Sequence, residues 1–340
     1  MRYKLLGNSG LRVSELCLGT MTFGEDWGWG GSYDESRKMF DAFGEAGGNF
    51  IDTANLYTNG TSEKFVGEFV ASDRDRWVVA TKYSLTMGGA DVNLSGNHRK
   101  NMVQAVNASL KRLNLDYIDL LWLHIWDTLT PVEEVMRAFD DLVRSGKVLY
   151  IGVSDAPAWI IAQANTIATL RGWTPFVALQ IEYSLKERTV ERELVPMANA
   201  LGLGITDWSP LAGGLLTGKY NQPQAAGDAR RNDVTGGGVS DRDLAIAQEV
   251  VNVANAIGKL PSQVALTWLR QKGGIIPIIG SRKLSQLQEN IASLEFELSP
   301  EHMQQLDDIS AISLGFPHDF INSDQVQNFA FGGSLRTIDR

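Results

Sequence analysis

Cysteine is almost missing from this chain. One thiol in 340 residues, Cys17, leaves no partner for an intramolecular disulfide and no thiolate set for a metal cage. Basic charge is also short, with 31 Lys and Arg against 40 Asp and Glu, a net of −9. A nucleic-acid partner would need a clustered cationic surface, so none is expected. No stretch approaches the roughly 18 uninterrupted apolar residues of a membrane span. The opening MRYKLLGNSG has no long apolar core of a secretory signal. Histidine is scarce too: there are four, with no His-x-His pair, so no metal site is expected. These absences suit a cytoplasmic protein that touches neither membrane nor nucleic acid.

What is present fits an ordinary globular chain, 44% apolar and 21% charged. Eight short aliphatic runs recur: Glu15 to Thr20, Phe50 to Ala54, Trp77 to Lys82, Tyr117 to His124, Leu149 to Asp155, Phe176 to Tyr183, Gly204 to Pro210 and Ile275 to Ser281. They are nearly continuous in apolar residues, as strands buried on both faces of a parallel sheet would be. Helical patterns lie between them. Ser32 with Glu35 three residues on reads as an N-cap, and Gly47-Gly48 as the stop of that helix. Pro131 is expected in the first turn of another, which Gly146 closes. Eight strand–helix units predict a single domain over residues 1–340, a (β/α)₈ TIM barrel of the α/β class. A doubly wound sheet would carry GxGxxG after its first strand, and GTMTFGEDWGWGG does not match it.

Two additions decorate this frame. Apolar pairs around Asn8-Ser9-Gly10 predict an N-terminal β-hairpin that plugs the barrel. The Gly-rich stretch Leu211 to Ser240 predicts a long loop after strand seven, hence a lid. The tail from Ile312 shows little helical pattern, and Phe316, Phe320, Phe329 and Phe331 are expected to pack.

In such a barrel, chemistry belongs to polar residues at the C-terminal strand ends. Asp52, Tyr57, Lys82 and His124 meet that description. Singly, each has a bland reading: a loop cap, a rim aromatic, a solvated charge, a core histidine. Together they form a proton-transfer set. An ammonium beside a phenol lowers its pKa, a carboxylate holds the ammonium in place, and an imidazole orients a substrate oxygen.

The motifs GTMTFG, DTANLYTNGTSE, ATK, DLLWLH, GVSD, QIEYSL, WSPLAGGLLTGKY and IIGSRKLSQLQEN stand in order along nearly the whole chain. In them the sequence resembles the aldo-keto reductase superfamily, closest to its aryl-alcohol dehydrogenase-like and potassium-channel β-subunit-like branches. The resemblance implies an NADPH-dependent oxidoreductase reducing carbonyls to alcohols, with Tyr57 as proton donor, Lys82 and Asp52 tuning it and His124 orienting substrate. It places Gly19, Thr20 and Asp52 at the nicotinamide ribose, and Ser154, Asp155 and Gln180 at the carboxamide. The carboxamide pair is commonly Ser-Asn, so Asp155 is a departure. Trp208 would stack on the ring. Ser209, Leu211, Gly213, Leu215 and Lys219 would line the pyrophosphate, with Arg230 or Arg231 folding over it. Ser281 and Arg282 would meet a 2′-phosphate, and Gln286, Glu289 and Asn290 the adenine. Met21, Trp27, Trp29, Trp126 and the tail phenylalanines are candidates for an aromatic substrate pocket.

Two other readings follow. One is a nucleotide-binding redox sensor without turnover, since the channel β-subunits share these motifs. The other is a Schiff-base aldolase using Lys82. Sequence leaves the physiological carbonyl, the reaction direction and the oligomeric state open.

Overall fold

A computed structural model describes residues 1–221 and 238–338. Eight parallel strands close into one barrel: β3 (Cys17–Gly19), β4 (Phe50–Asp52), β5 (Val78–Tyr83), β6 (Ile118–Leu123), β7 (Val148–Ser154), β8 (Ala178–Glu182), β9 (Gly204–Trp208) and β10 (Ile276–Gly280). Each comes from one of the eight aliphatic runs. Ahead of them β1 (Tyr3–Leu5) pairs antiparallel with β2 (Arg12–Ser14). Leu6 and Val13, next to and in this hairpin, are fully buried with Phe50, Val78 and Ile276 at the strand starts. The hairpin therefore closes the N-terminal end of the barrel.

Among the described residues, ten helices wrap the outside: α1 (Tyr33–Glu45), α2 (Thr61–Val70), α3 (Arg99–Leu113), α4 (Val132–Arg144), α5 (Ala158–Arg171), α6 (Leu194–Leu201), α7 (Asp241–Ile257), α8 (Pro261–Gln271), α9 (Leu284–Ile291) and α10 (Pro300–Ile309). Ser32 caps α1 by accepting the Glu35 N–H at 3.3 Å, as its spacing predicts. Pro131 departs from expectation, standing at the N-cap of α4 with extended ψ, one residue before the helix.

Strand alternation sorts the side chains. Cys17, Phe50, Val78, Ala80, Leu120, Trp122 and Ala178 meet inside the barrel, while Leu18, Ile51, Val79, Leu121 and Leu179 pack beneath the helices. Trp122 fills the interior so completely that a Cβ on Gly152 of β7 would sit 2.4 Å from its ring. Glycine is required there by space.

The tail corrects the sequence reading. It forms two further helices, α11 (His318–Ile321) and α12 (Asp324–Phe331), the second capped by Ser323. In the second, local capping rather than apolar periodicity starts the helix. Phe316, Phe320 and Phe329 are mostly exposed, and Phe331 partly so. Polar contacts hold the segment instead: His318 Nε2 lies 2.9 Å from Glu193, and Arg192 donates to the Ser313 carbonyl at 2.8 Å. Arg230, Arg231 and most of the expected lid lie outside the described residues.

Candidate active site

Inward parity carries polar groups to the C-terminal mouth. Asp52 ends β4, Lys82 lies two residues past Ala80 on β5, and His124 follows Leu123 two residues past Trp122. Neighbouring strands align them: Gly19 is opposite Asp52, Asp52 opposite Ala80, and Lys82 opposite Trp122. Tyr57 comes from the short 3₁₀ turn that follows β4.

Lys82 is the hub. Its buried ammonium pairs with Asp52 Oδ2, and donates to the Thr53 carbonyl at 2.9 Å and the Tyr57 hydroxyl at 3.1 Å. Three donors meet three acceptors. Burial opposes the charge on Lys82, but Asp52 and Tyr57 outweigh it and raise its pKa. Gln180 Nε2 donates to the other Asp52 oxygen at 3.0 Å, which fixes that carboxylate from across the barrel.

Tyr57 itself departs from the sequence expectation. Burial pushes its hydroxyl above the ordinary value; Lys82 pulls it down and Asp52 pushes it back up, so the net direction is upward. It stays a neutral phenol at neutral pH. Lysine has no acceptor, so in the Lys82–Tyr57 bond the tyrosine oxygen accepts. Its own proton therefore points away from Lys82.

The His124 ring meets Tyr57 edge-on, with centroids 6.1 Å apart. Burial and then the Lys82 charge push the imidazole well below its ordinary pKa, so it is neutral. Its Nδ1 is buried without a partner. Trp27 lies 6.4 Å from Tyr57, also edge-on, with Trp29 5.8 Å behind it. Met21 is half-buried nearby in sequence. Trp126 lines a 460 Å³ cavity with Leu129, Pro157 and Trp159.

A model of the aldo/keto reductase family matches residues 15–311. The chain belongs to the aldo/keto reductase family. A norsolorinic acid reductase of Aspergillus flavus is 40% identical over 336 residues, covering 96% of this chain and 85% of the relative. An aryl-alcohol dehydrogenase [NADP(+)] of Phanerodontia chrysosporium is 39% identical over 335 residues, covering 93% of this chain and 87% of the relative. An aldo-keto reductase, ausK, of Aspergillus calidoustus is 37% identical, covering 95% of this chain and 85% of the relative.

A nicotinamide dinucleotide fits what the family member's mouth presents. The Ser154 hydroxyl at the end of β7 is buried with no partner. Trp208 ends β9, its indole N–H donating to Asp155 Oδ1 at 3.1 Å. Asp155 thus fixes the Trp208 indole, in a contact that needs only an acceptor oxygen. Beyond β9 the backbone turns repeatedly into the left-handed region, at Ser209 (φ 63°), Ala212 (φ 48°), Gly213 (φ 65°) and Gly214 (φ 89°). The two non-glycine residues in that region, Ser209 and Ala212, hold backbone strain.

Other residues expected at the nucleotide already make contacts within the protein. Thr20 spends its polar groups inside the protein: its hydroxyl donates to the Asp52 carbonyl at 3.0 Å, its N–H bonds the same carbonyl, and its own carbonyl accepts from Ser62. Leu215 is fully buried in the helix layer, and Gly19 packs against Ile278. Leu211 closes the following turn, its carbonyl accepting from Gly214. Lys219 lies beside the Tyr220 ring. At β10, Ser281 and Asn290 are buried together with Asn290 Nδ2 3.4 Å from the Ser281 hydroxyl, while Arg282, Gln286 and Glu289 are exposed.

Sequence reasoning missed the supports. Glu63 is fully buried, accepting from Thr81 at 2.6 Å and pairing with Arg112 at 2.5 Å. It ties α2 to β5 and α3 behind Lys82. Asn97 and Asp127 each donate a backbone N–H to the other's side-chain oxygen, at 2.7 and 2.8 Å, joining the loops after β5 and β6. Glu63 lies in the DTANLYTNGTSE motif, but only the helix register shows that it faces inward.

Proposed function

We propose that this family member is an NADPH-dependent reductase of aldehydes and ketones, with aromatic or hydrophobic carbonyls as substrates and Tyr57 as proton donor. The observation that carries it is the Lys82 hub, which obliges Tyr57 to accept from lysine and leaves its proton for a substrate oxygen. A nicotinamide held by Ser154, Gln180 and Trp208 would supply the hydride for the carbonyl carbon. Tyr57 donates its proton to the carbonyl oxygen, and Lys82 stabilises the phenolate left behind. Asp52 keeps Lys82 charged and in place. With Nδ1 enclosed, the neutral His124 carries its proton on Nε2 and orients the oxygen.

The unpartnered Ser154 hydroxyl supports carboxamide binding, with Asp155, Gln180 and Trp208 around it. The left-handed turn from Ser209 to Gly214 supports close approach of a pyrophosphate. Trp27 and Trp29 beside Tyr57, and the aryl-alcohol substrate named for one relative, support an aromatic substrate. A Schiff-base mechanism needs a neutral amine, and Lys82 is held protonated by Asp52.

Ser281 and Arg282 are read as 2′-phosphate residues. Arg282→Ala is expected to weaken NADPH binding about tenfold, the lower end for a hydrogen bond to a charged group because the side chain is exposed. NADH binding should hold steady. Equal loss for both nucleotides in calorimetric titrations would make Arg282 structural.

His124 gives a second test. Its pKa lies well below 6.5, so kcat/KM should pass through pH 6.5 with no inflection from this residue. Stability has the matching sign. The unfolded chain takes up a proton as pH falls below 6.5 and the folded one does not, so stability is lost on the acid side. Melting curves of His124→Gln should fall less steeply below that pH than wild type; parallel curves would refute the neutral assignment.

A further inference from the structure

The start of α9 already holds an anion. Leu284, its first residue, donates its backbone N–H to Glu35 Oε1 at 2.7 Å. Glu35 belongs to the first turn of α1, where Ser32 fixes its backbone. The Arg282 amide just before α9 is also engaged, donating to Gln286 Oε1 at 3.1 Å. Lys38 approaches the second Glu35 oxygen at 3.8 Å, but it is well exposed and solvent screens it. A carboxylate thus occupies the helix start that the exposed Arg282 immediately precedes.

We propose that Glu35 is a specificity-determining residue that restrains this chain's preference for a 2′-phosphorylated dinucleotide. The inference rests on the reading of Ser281, Arg282 and α9 as the 2′-phosphate site. A helix start stabilises one anion through its free amides. Glu35 takes the Leu284 amide and sets a like charge beside an incoming phosphate. A dinucleotide without that phosphate presents a hydroxyl instead. The hydroxyl is uncharged and can donate to a carboxylate. Glu35 therefore acts with opposite sign on the two nucleotides.

Glu35→Gln isolates the charge, because its amide oxygen still accepts from Leu284 and keeps α9 capped. NADP⁺ and NAD⁺ are titrated calorimetrically into cofactor-free wild type and Glu35→Gln, at low and high salt, with melting of each protein recorded. The Kd for NADP⁺ should fall about two- to fivefold in the variant, the scale of one charge at a helix end. NAD⁺ should bind equally or more weakly, and the gain should shrink at high salt. A shift common to both nucleotides, no shift, or weaker NADP⁺ binding in the variant would overturn the inference while leaving the nucleotide reading intact. Wild type that binds NAD⁺ alone, or neither nucleotide, would overturn the nucleotide reading and this inference with it.

Discussion

Tyr57→Phe is expected to lower kcat for carbonyl reduction by about 10²- to 10⁴-fold, the range for loss of a positioned general acid. Nucleotide affinity should stay close to wild type, because the hydroxyl contacts Lys82 and no predicted nucleotide residue. The fold should also persist. Phenylalanine keeps the ring against His124 and Trp27, and Lys82 retains Asp52 and the Thr53 carbonyl. Steady-state kinetics with an aromatic aldehyde, paired with calorimetric titration of NADPH, measure both quantities. Turnover within a few-fold of wild type would end the assignment of Tyr57 as the acid.

Lys82→Met is expected to cost both activity and stability. It removes one partner of a buried pair and strands Asp52, for which about 3–5 kcal/mol is the usual loss. The pH dependence carries a further signature. The folded state raises the Lys82 pKa above 10.5, so the pair stabilises the fold fully below that pH and less as pH climbs through the raised value. Wild type should therefore lose stability on the alkaline side from this group, and Lys82→Met should lack that component. Denaturant unfolding at neutral and alkaline pH tests it. A variant as stable as wild type at pH 7 would show that the pair contributes nothing to the fold.

The barrel was legible because both-face burial writes itself as aliphatic runs, and eight such runs leave few topologies. The catalytic candidates were legible for a related reason. Asp52, Lys82 and His124 interrupt apolar runs at their ends, and the period of two turns all three inward with Phe50, Ala80 and Trp122. The balance of forces on Tyr57 was not. Composition shows a lysine nearby, but burial, which decides the direction of its pKa, is a property of packing. Backbone contributions were equally hidden: the Thr53 carbonyl that completes Lys82 has no side-chain signal. Glu35 lies 249 positions from Leu284, and it read simply as part of its own helix's cap. In the tail, phenylalanines signalled burial, yet Ser323 and short polar turns set the structure and leave Phe316 and Phe329 exposed.

Hydride transfer from NADPH to a carbonyl is proposed at the mouth formed by Tyr57, Lys82, Asp52 and His124. Single-turnover mixing of the protein with NADPH deuterated at the transferred position, followed by mass analysis of the product, tests it most directly. A panel of aromatic and aliphatic aldehydes and ketones serves as acceptors. Reduced nicotinamide should be lost in step with formation of an alcohol carrying one deuterium on the former carbonyl carbon. Tightly bound NADPH that stays reduced across the whole panel, or an alcohol without the label, would contradict it.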